Sequence, residues 1–320
     1  MDRWTLSVRQ FRLIAALTAG GLCLLVVAGG IVRLTGSGLG CDDWPNCNAQ
    51  SFVDVSSAHA AIEQINRLIS GAITIPTVLM VIGSFRVRPR RPGLVGPSMG
   101  VLVTVLANAV VGGLAVRADL HPALVQSHFL LAMASIAFAL VAVRRSSPEP
   151  LEPSAVPTAI KRLVGAMTVM TALALVTGTV VTGTGPHAGD EHVRRWGFDI
   201  STVARVHSAT VLVAVALALA VTWSIRSDRA SREQLGPVLS TWMFVAVVQG
   251  GIGYLQYFTG VPELLVGAHI AGATALWVIT VWLWTALSGD ASAVHRATVG
   301  ARAEQPDVSV GGPTSPIGSV

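Results

Sequence analysis

The chain has 320 residues, of which 52% are hydrophobic and only 12% charged, with a mean hydropathy of +0.63. Such a composition excludes a soluble globule with an ordinary charged surface and identifies a polytopic membrane protein. The formal net charge of +5 and the pI of about 9.8 follow from where the basic residues sit relative to the membrane, so a nucleic-acid partner has no support.

Apolar runs long enough to cross about 30 Å of hydrocarbon at roughly 1.5 Å per residue lie at 11–34, 61–84, 96–117 and 122–143. Four more lie at 160–184, 202–225, 237–259 and 262–287, which makes eight helices and places both termini on one side. Arg3, Arg9 and Arg12 precede the first helix; Arg86, Arg88, Arg90 and Arg91 join the second and third; Arg144, Arg145, Lys161 and Arg162 join the fourth and fifth. Arg226, Arg229 and Arg232 join the sixth and seventh, and Arg296 and Arg302 follow the eighth. Only Arg33, Arg67, Arg117, Arg194, Arg195 and Arg205, six of the 22 Lys and Arg residues, fall at the opposite face. The bias predicts cytoplasmic termini in a multi-pass cell-membrane protein. The first helix is too long and uninterrupted for a cleaved signal and reads as retained.

The first helix ends in TGSG at 35–38 and leads into a loop containing CDDWPNC. Cys41 and Cys47 lie on the oxidising side, so a disulfide between them is expected. Five intervening residues without a second pair do not resemble a zinc knuckle, and a redox or docking role stays open. His59 stands just before the second helix, which carries Glu63, Asn66 and Arg67, with Glu63 one turn before Asn66 on the same face. A carboxylate there could relay protons or stabilise a developing cation; the plainer reading is an acid near a helix start, favoured by the dipole. Asn108 and Gly112 lie on the third helix and His128 on the fourth, where Pro122 marks the start and makes His121 a loop or cap residue. RRSSPEPLEPSAVP, at 144–157, reads as a flexible linker. The fifth helix ends in TGTG at 182–185, and His187 and His192 in the next loop read as solvent-facing. His207, Gln249 with Gly253, and His269 fall on the last three helices, and the tail from 288 to 320 reads as disordered.

These positions repeat. Asn66 and His128 are 62 apart, as are His207 and His269, and the two pairs are offset by 141, an offset that also relates Asn108 and Gly112 to Gln249 and Gly253. His59 and His121 are likewise 62 apart and form a conceivable outer ligand pair. TGSG and TGTG are offset by 147, so the first outer loop is six residues longer than its counterpart. The prediction is an all-α membrane protein of two tandem four-helix bundles, 1–143 and 160–287, joined by the linker 144–159 and related by a pseudo-twofold axis along the membrane normal.

Ionisable residues inside membrane helices point to function. His207 and His269 on facing helices can present imidazoles to the two faces of one porphyrin, as axial heme ligands do; the plainer reading is two interhelical polar contacts. Asn66 is a poor iron ligand, which leaves His128 alone in the first half and makes that site suited to a bound substrate. Arg33, Arg67, Arg117 and Arg205 near the outer helix ends could hold heme propionates or simply anchor the helices at the interface.

TGSGLGCDDWPNC at 35–47, IEQINR at 62–67, LHPALVQSHF at 120–129, GPHAGD at 185–190, RVH at 205–207 and GAHIAGATALW at 267–277 together resemble the heme A synthase family over most of residues 10–287. The resemblance implies oxidation of the C8 methyl of heme O to a formyl group, giving heme A for terminal oxidase assembly. It implies that His207 and His269 ligate a resident heme b, that the first-half pocket takes substrate through His128, and that Glu63 is the required acid. It also implies a redox or heme-transfer role for the Cys41–Cys47 pair, with heme O synthase, a membrane quinol and oxidase assembly factors as partners and a homo-oligomer as an open option. Asn66 departs from the family pattern, in which many members carry histidine. The rival readings are a diheme b-type cytochrome that only transfers electrons and a repeat-built transporter with Asn108 and Gln249 on its path.

Overall fold

The computed structural model describes residues 4–148, 154 and 156–287. The expected disordered tail, 288–320, lies outside the described residues, as does much of the expected linker.

Eight helices follow in order: α1 (Val8–Leu34), α2 (Ala58–Arg86), α3 (Val95–Arg117), α4 (Pro122–Arg145), α5 (Thr158–Thr184), α6 (Ile200–Ile225), α7 (Arg229–Phe258) and α8 (Glu263–Ala286). Each is long and apolar enough to cross a membrane, and the fold is all-α and polytopic. Among the described residues the one departure is a parallel pairing of two-residue strands, β1 (Leu6–Ser7) with β2 (Val87–Arg88), which ties the start of α1 to the end of α2.

The helix starts obey local chemistry. Ser7 and Gln10 form a capping box at α1, and the Ser57 hydroxyl accepts the Ala60 N–H at α2. At α6 the Asp199 carboxylate accepts the Thr202 N–H, and hydrogen bonds from the Ser201 and Thr202 side chains hold its pKa below the ordinary range. Pro122 occupies the first turn of α4, and the His121 ring accepts the Ala123 N–H as its cap. Helix α7 begins at Arg229, ahead of the apolar run from 237, and carries Pro237 inside it. An Arg229–Glu233 ion pair at (i, i+4) supports the added polar turns.

Helices α1 to α4 close a ring in which α1 meets α2 and α4, and α3 meets α2 and α4. Helices α5 to α8 make the same ring in the same order. Between the rings α4 meets α8, α1 meets α8 and α4 meets α5, so exchanging α1–α4 for α5–α8 leaves the set of contacts unchanged. Each ring has its own core, one around Phe11, Met80, Met133 and Ile136, the other around Met167, Leu235, Trp242 and Leu283. Val156, within the expected linker, is buried in the second core. Lipid is as apolar as these side chains, so close packing and interhelical polar bonds hold the helices together. Trp242 Nε1 donates to Thr280 Oγ1 at 2.8 Å within the second ring, and Trp277 Nε1 donates to the Met133 carbonyl at 2.9 Å across the seam. Helix hydroxyls such as Thr18, Thr77, Ser98 and Thr171 donate to carbonyls four residues back, which satisfies them without water.

Candidate functional site

His207 lies two turns into α6 and His269 nearly two turns into α8. Their rings face each other with centroids 6.4 Å apart and planes at 84°. Two metal–imidazole bonds of about 2 Å, plus the distance from each nitrogen to its ring centre, span roughly 6 Å, so one iron fits between them. The Thr177 hydroxyl lies 3.0 Å from the Leu173 carbonyl and 3.1 Å from His207 Nδ1; with the hydroxyl donating to the carbonyl, its oxygen can accept Nδ1–H, the tautomer that leaves Nε2 for a ligand. Glycines bring the neighbouring helices against both rings: a Cβ on Gly178 would stand 3.1 Å from His207 Cε1, and one on Gly253 3.3 Å from His269 Cε1.

The first half repeats the plan with one imidazole. His128 Nδ1 donates to the Asn108 carbonyl at 3.0 Å, again leaving Nε2 free, and a Cβ on Gly112 would stand 2.8 Å from its Cε1. Asn66 stands on α2 at the position His207 holds on α6, with its side-chain oxygen buried and unpartnered.

One cavity of about 1300 Å³ takes in both places; Asn66, Asn108 and His128 line it from one ring and His207, Gln249 and His269 from the other. That exceeds the roughly 300–1,000 Å³ of an ordinary small-ligand pocket. Five side chains lining it, Asn66, Asn108, Gln249, Gln256 and His269, have a buried polar atom with no partner among the described residues. Orphans of this kind call for an occupant with polar groups. Among the described residues no three His, Cys, Asp or Glu side chains gather to hold a metal ion. A metal between two imidazoles must therefore bring its own equatorial donors, as heme iron does, and the donor set fits that group.

Glu63 is buried and both of its oxygens are engaged. Oε2 accepts the Cys41 N–H at 2.7 Å, and Oε1 accepts Arg67 Nη2 at 2.6 Å and Nε at 3.0 Å. Arg67 continues to the carbonyls of Cys41, Asp43 and Asn46 at 3.3, 2.9 and 3.0 Å. The expected Cys41–Cys47 disulfide is present with both cysteines buried, so Glu63 and Arg67 join the disulfide loop to the rim of the cavity. The sequence pointed to Glu63 through Asn66 but gave no sign of the carboxylate's bond to Cys41, which depends on how a loop folds back.

The remaining arginines divide. Arg33 and Arg205 line the cavity, while Arg117 lies outside its lining and donates to the Trp44 carbonyl at 2.6 Å, with Asp43 at 3.4 Å. Arg33 bonds the carbonyls of His187 and Thr182 and so ties α1 to the loop after α5. His59 and His121 do not line the cavity: His59 bonds Ser37 Oγ at 2.9 Å and His121 caps α4. His187, expected to face solvent, instead lines the cavity and bonds the Val261 carbonyl at 2.8 Å. The glycines beside the ligand rings and the Thr177 hydroxyl escaped sequence reading except for Gly112 and Gly253, which the repeat had marked.

The sequence profile of a cytochrome oxidase assembly protein family, COX15-CtaA, matches residues 12–189. His207 and His269 lie beyond that span. A protein named heme A synthase from Shouchella clausii (strain KSM-K16) is 27% identical over 271 residues, covering 79% of this chain and 89% of that protein. Proteins of the same name from Bacillus cereus (strain AH187) and Bacillus anthracis (strain CDC 684 / NRRL 3495) are each 30% identical over 130 residues, 40% of this chain and 42% of theirs.

Proposed function

The chain belongs to the COX15-CtaA family of cytochrome oxidase assembly proteins, and on that premise we propose that it is a heme A synthase, a membrane oxidoreductase that converts the C8 methyl of heme O to a formyl group. The observation that carries the reading is the inequality within one cavity. One end offers two facing imidazoles, and the other offers a single imidazole beside a buried carboxylate. An electron carrier needs two firmly held groups; an enzyme with one resident cofactor and one exchanging substrate needs this asymmetry.

His207 and His269 would hold heme b, which supplies one-electron chemistry when bound. His128 Nε2, freed by the Asn108 carbonyl, would position the substrate iron, and the orphaned Asn66 oxygen would accept a hydrogen bond on the opposite side. Converting a methyl to a formyl group takes up one oxygen and releases four electrons and four protons when water is the oxygen source, and two membrane quinones would accept them and leave as quinols. Glu63 lies at the rim of the substrate end and would hold negative charge where positive charge develops. Its bonds to Cys41 and Arg67 fix its direction. Arg33 and Arg205, lining the cavity, would meet the heme carboxylates. We place the disulfide end outside the plasma membrane and both termini in the cytoplasm, and we read the matched packing of the two rings as a pseudo-twofold relation along the membrane normal.

The test is co-expression with a heme O synthase in a host lacking heme A, followed by heme extraction, chromatography and mass detection. Heme A or its hydroxylated intermediate is the expected product. A folded, heme-loaded protein that leaves heme O unmodified would turn the reading to an electron-transfer cytochrome.

A further inference from the structure

The offset of 141 that relates the ligand positions also relates three residues at the rim of each ring. Arg67, Gly113 and Arg117 in the first half stand where Ser208, Tyr254 and Phe258 stand in the second. In the second half these residues close on one another: the Tyr254 hydroxyl lies 2.9 Å from Ser208 Oγ, bridging α7 to α6, and its ring stacks on Phe258 with centroids 6.3 Å apart. In the first half all three serve the disulfide loop. A Cβ on Gly113 would stand 2.5 Å from the indole of Trp44, so only glycine admits that ring against α3. Arg117 donates to the Trp44 carbonyl, and Arg67 to the carbonyls of Asp43 and Asn46 on either side of it. Trp44 also lines the cavity.

We propose that Trp44, seated in the socket left by Gly113, is the closing residue of the first-half pocket and makes that end of the cavity the one that exchanges its tetrapyrrole. The proposal rests on the reading of the first half as the substrate end. The second rim carries the bridge of Tyr254 to Ser208, which joins two of its own helices, α7 and α6. The first is lined by Trp44, Pro45 and Phe52 of a loop that Arg67 and Arg117 hold through its backbone carbonyls, and loops of that kind open at far lower cost than packed helices. The disulfide between Cys41 and Cys47 keeps the closing segment short.

Ser70 and Val211 both line the cavity and are related by the same offset. The experiment places a cysteine at one or the other, Ser70→Cys or Val211→Cys, in a Cys23→Ser background, and follows modification of the full chain in nanodiscs by N-ethylmaleimide. Trp44→Ala and Gly113→Ala should each speed modification at position 70 on the order of tenfold and leave position 211 unchanged, while Trp44→Phe keeps position 70 protected. Equal acceleration at both positions, or none at position 70, overturns the proposal. The readout needs no heme turnover, so a chain that makes no heme A but shows Trp44-dependent protection would keep the closing residue and lose the enzymatic reading.

Discussion

His207 and His269 face each other across the second ring with centroids 6.4 Å apart and planes nearly perpendicular, a span that would admit one iron between the two imidazoles. We predict that His207→Ala or His269→Ala abolishes the low-spin heme spectrum of the purified protein, whereas His128→Ala leaves it in place. Absorption and paramagnetic resonance spectra check this. A normal low-spin signal after either of the first two changes would falsify the assignment.

Gly112 lies so close to His128 that a Cβ would stand 2.8 Å from the ring. Gly112→Val should therefore displace His128 and lower heme O conversion at least about tenfold, equivalent to roughly 1.4 kcal/mol of lost transition-state stabilisation, with the resident spectrum intact. Extracted heme ratios and spectra from one preparation distinguish this from misfolding, which would remove both.

Glu63 holds Cys41 and Arg67 at once. Glu63→Ala leaves Arg67, which is only 18% exposed, without its partner, and losing one member of a fully buried pair costs about 3–5 kcal/mol. Partial exposure of Arg67 puts the cost at or below the lower end of that range. Glu63→Gln keeps an acceptor for the Cys41 N–H and should unfold at a higher temperature than Glu63→Ala. Both should lose conversion and keep the heme b spectrum. Conversion retained by Glu63→Gln would show that the carboxylate acts only as a brace.

Cys41→Ser removes the cross-link from a loop of seven residues, 41 to 47. Closing so short a loop contributes roughly 2 kcal/mol, so thermal stability should fall modestly with the resident heme spectrum unchanged. Loss of that spectrum would show that the disulfide loop supports the second ring as well as the first.

The eight crossings were legible because lipid imposes a coarse rule of long apolar runs, and His128, His207 and His269 stand out inside three of them. Helix α7 begins at Arg229 and not at the apolar run from 237 because its first turns are polar and carry no hydropathy signal. His187 was read as solvent-facing because nothing local announces the Val261 carbonyl, 74 residues away, that it bonds. The link from Glu63 to Cys41 and the seating of Trp44 on Gly113 were hidden for the same reason. Periodicity reports which face of a helix a residue occupies, and says nothing of how an irregular loop returns to touch it.

Residues of both rings line one cavity. On the proposed reading, a resident group and a substrate would occupy it together, and any coupling between them would be reciprocal. Whatever factor the resident group imposes on the affinity of its neighbour, the neighbour imposes on it in return. Loading the chain with its cofactor and charging it with substrate are thus two halves of one linkage, and each can be titrated by measuring the other.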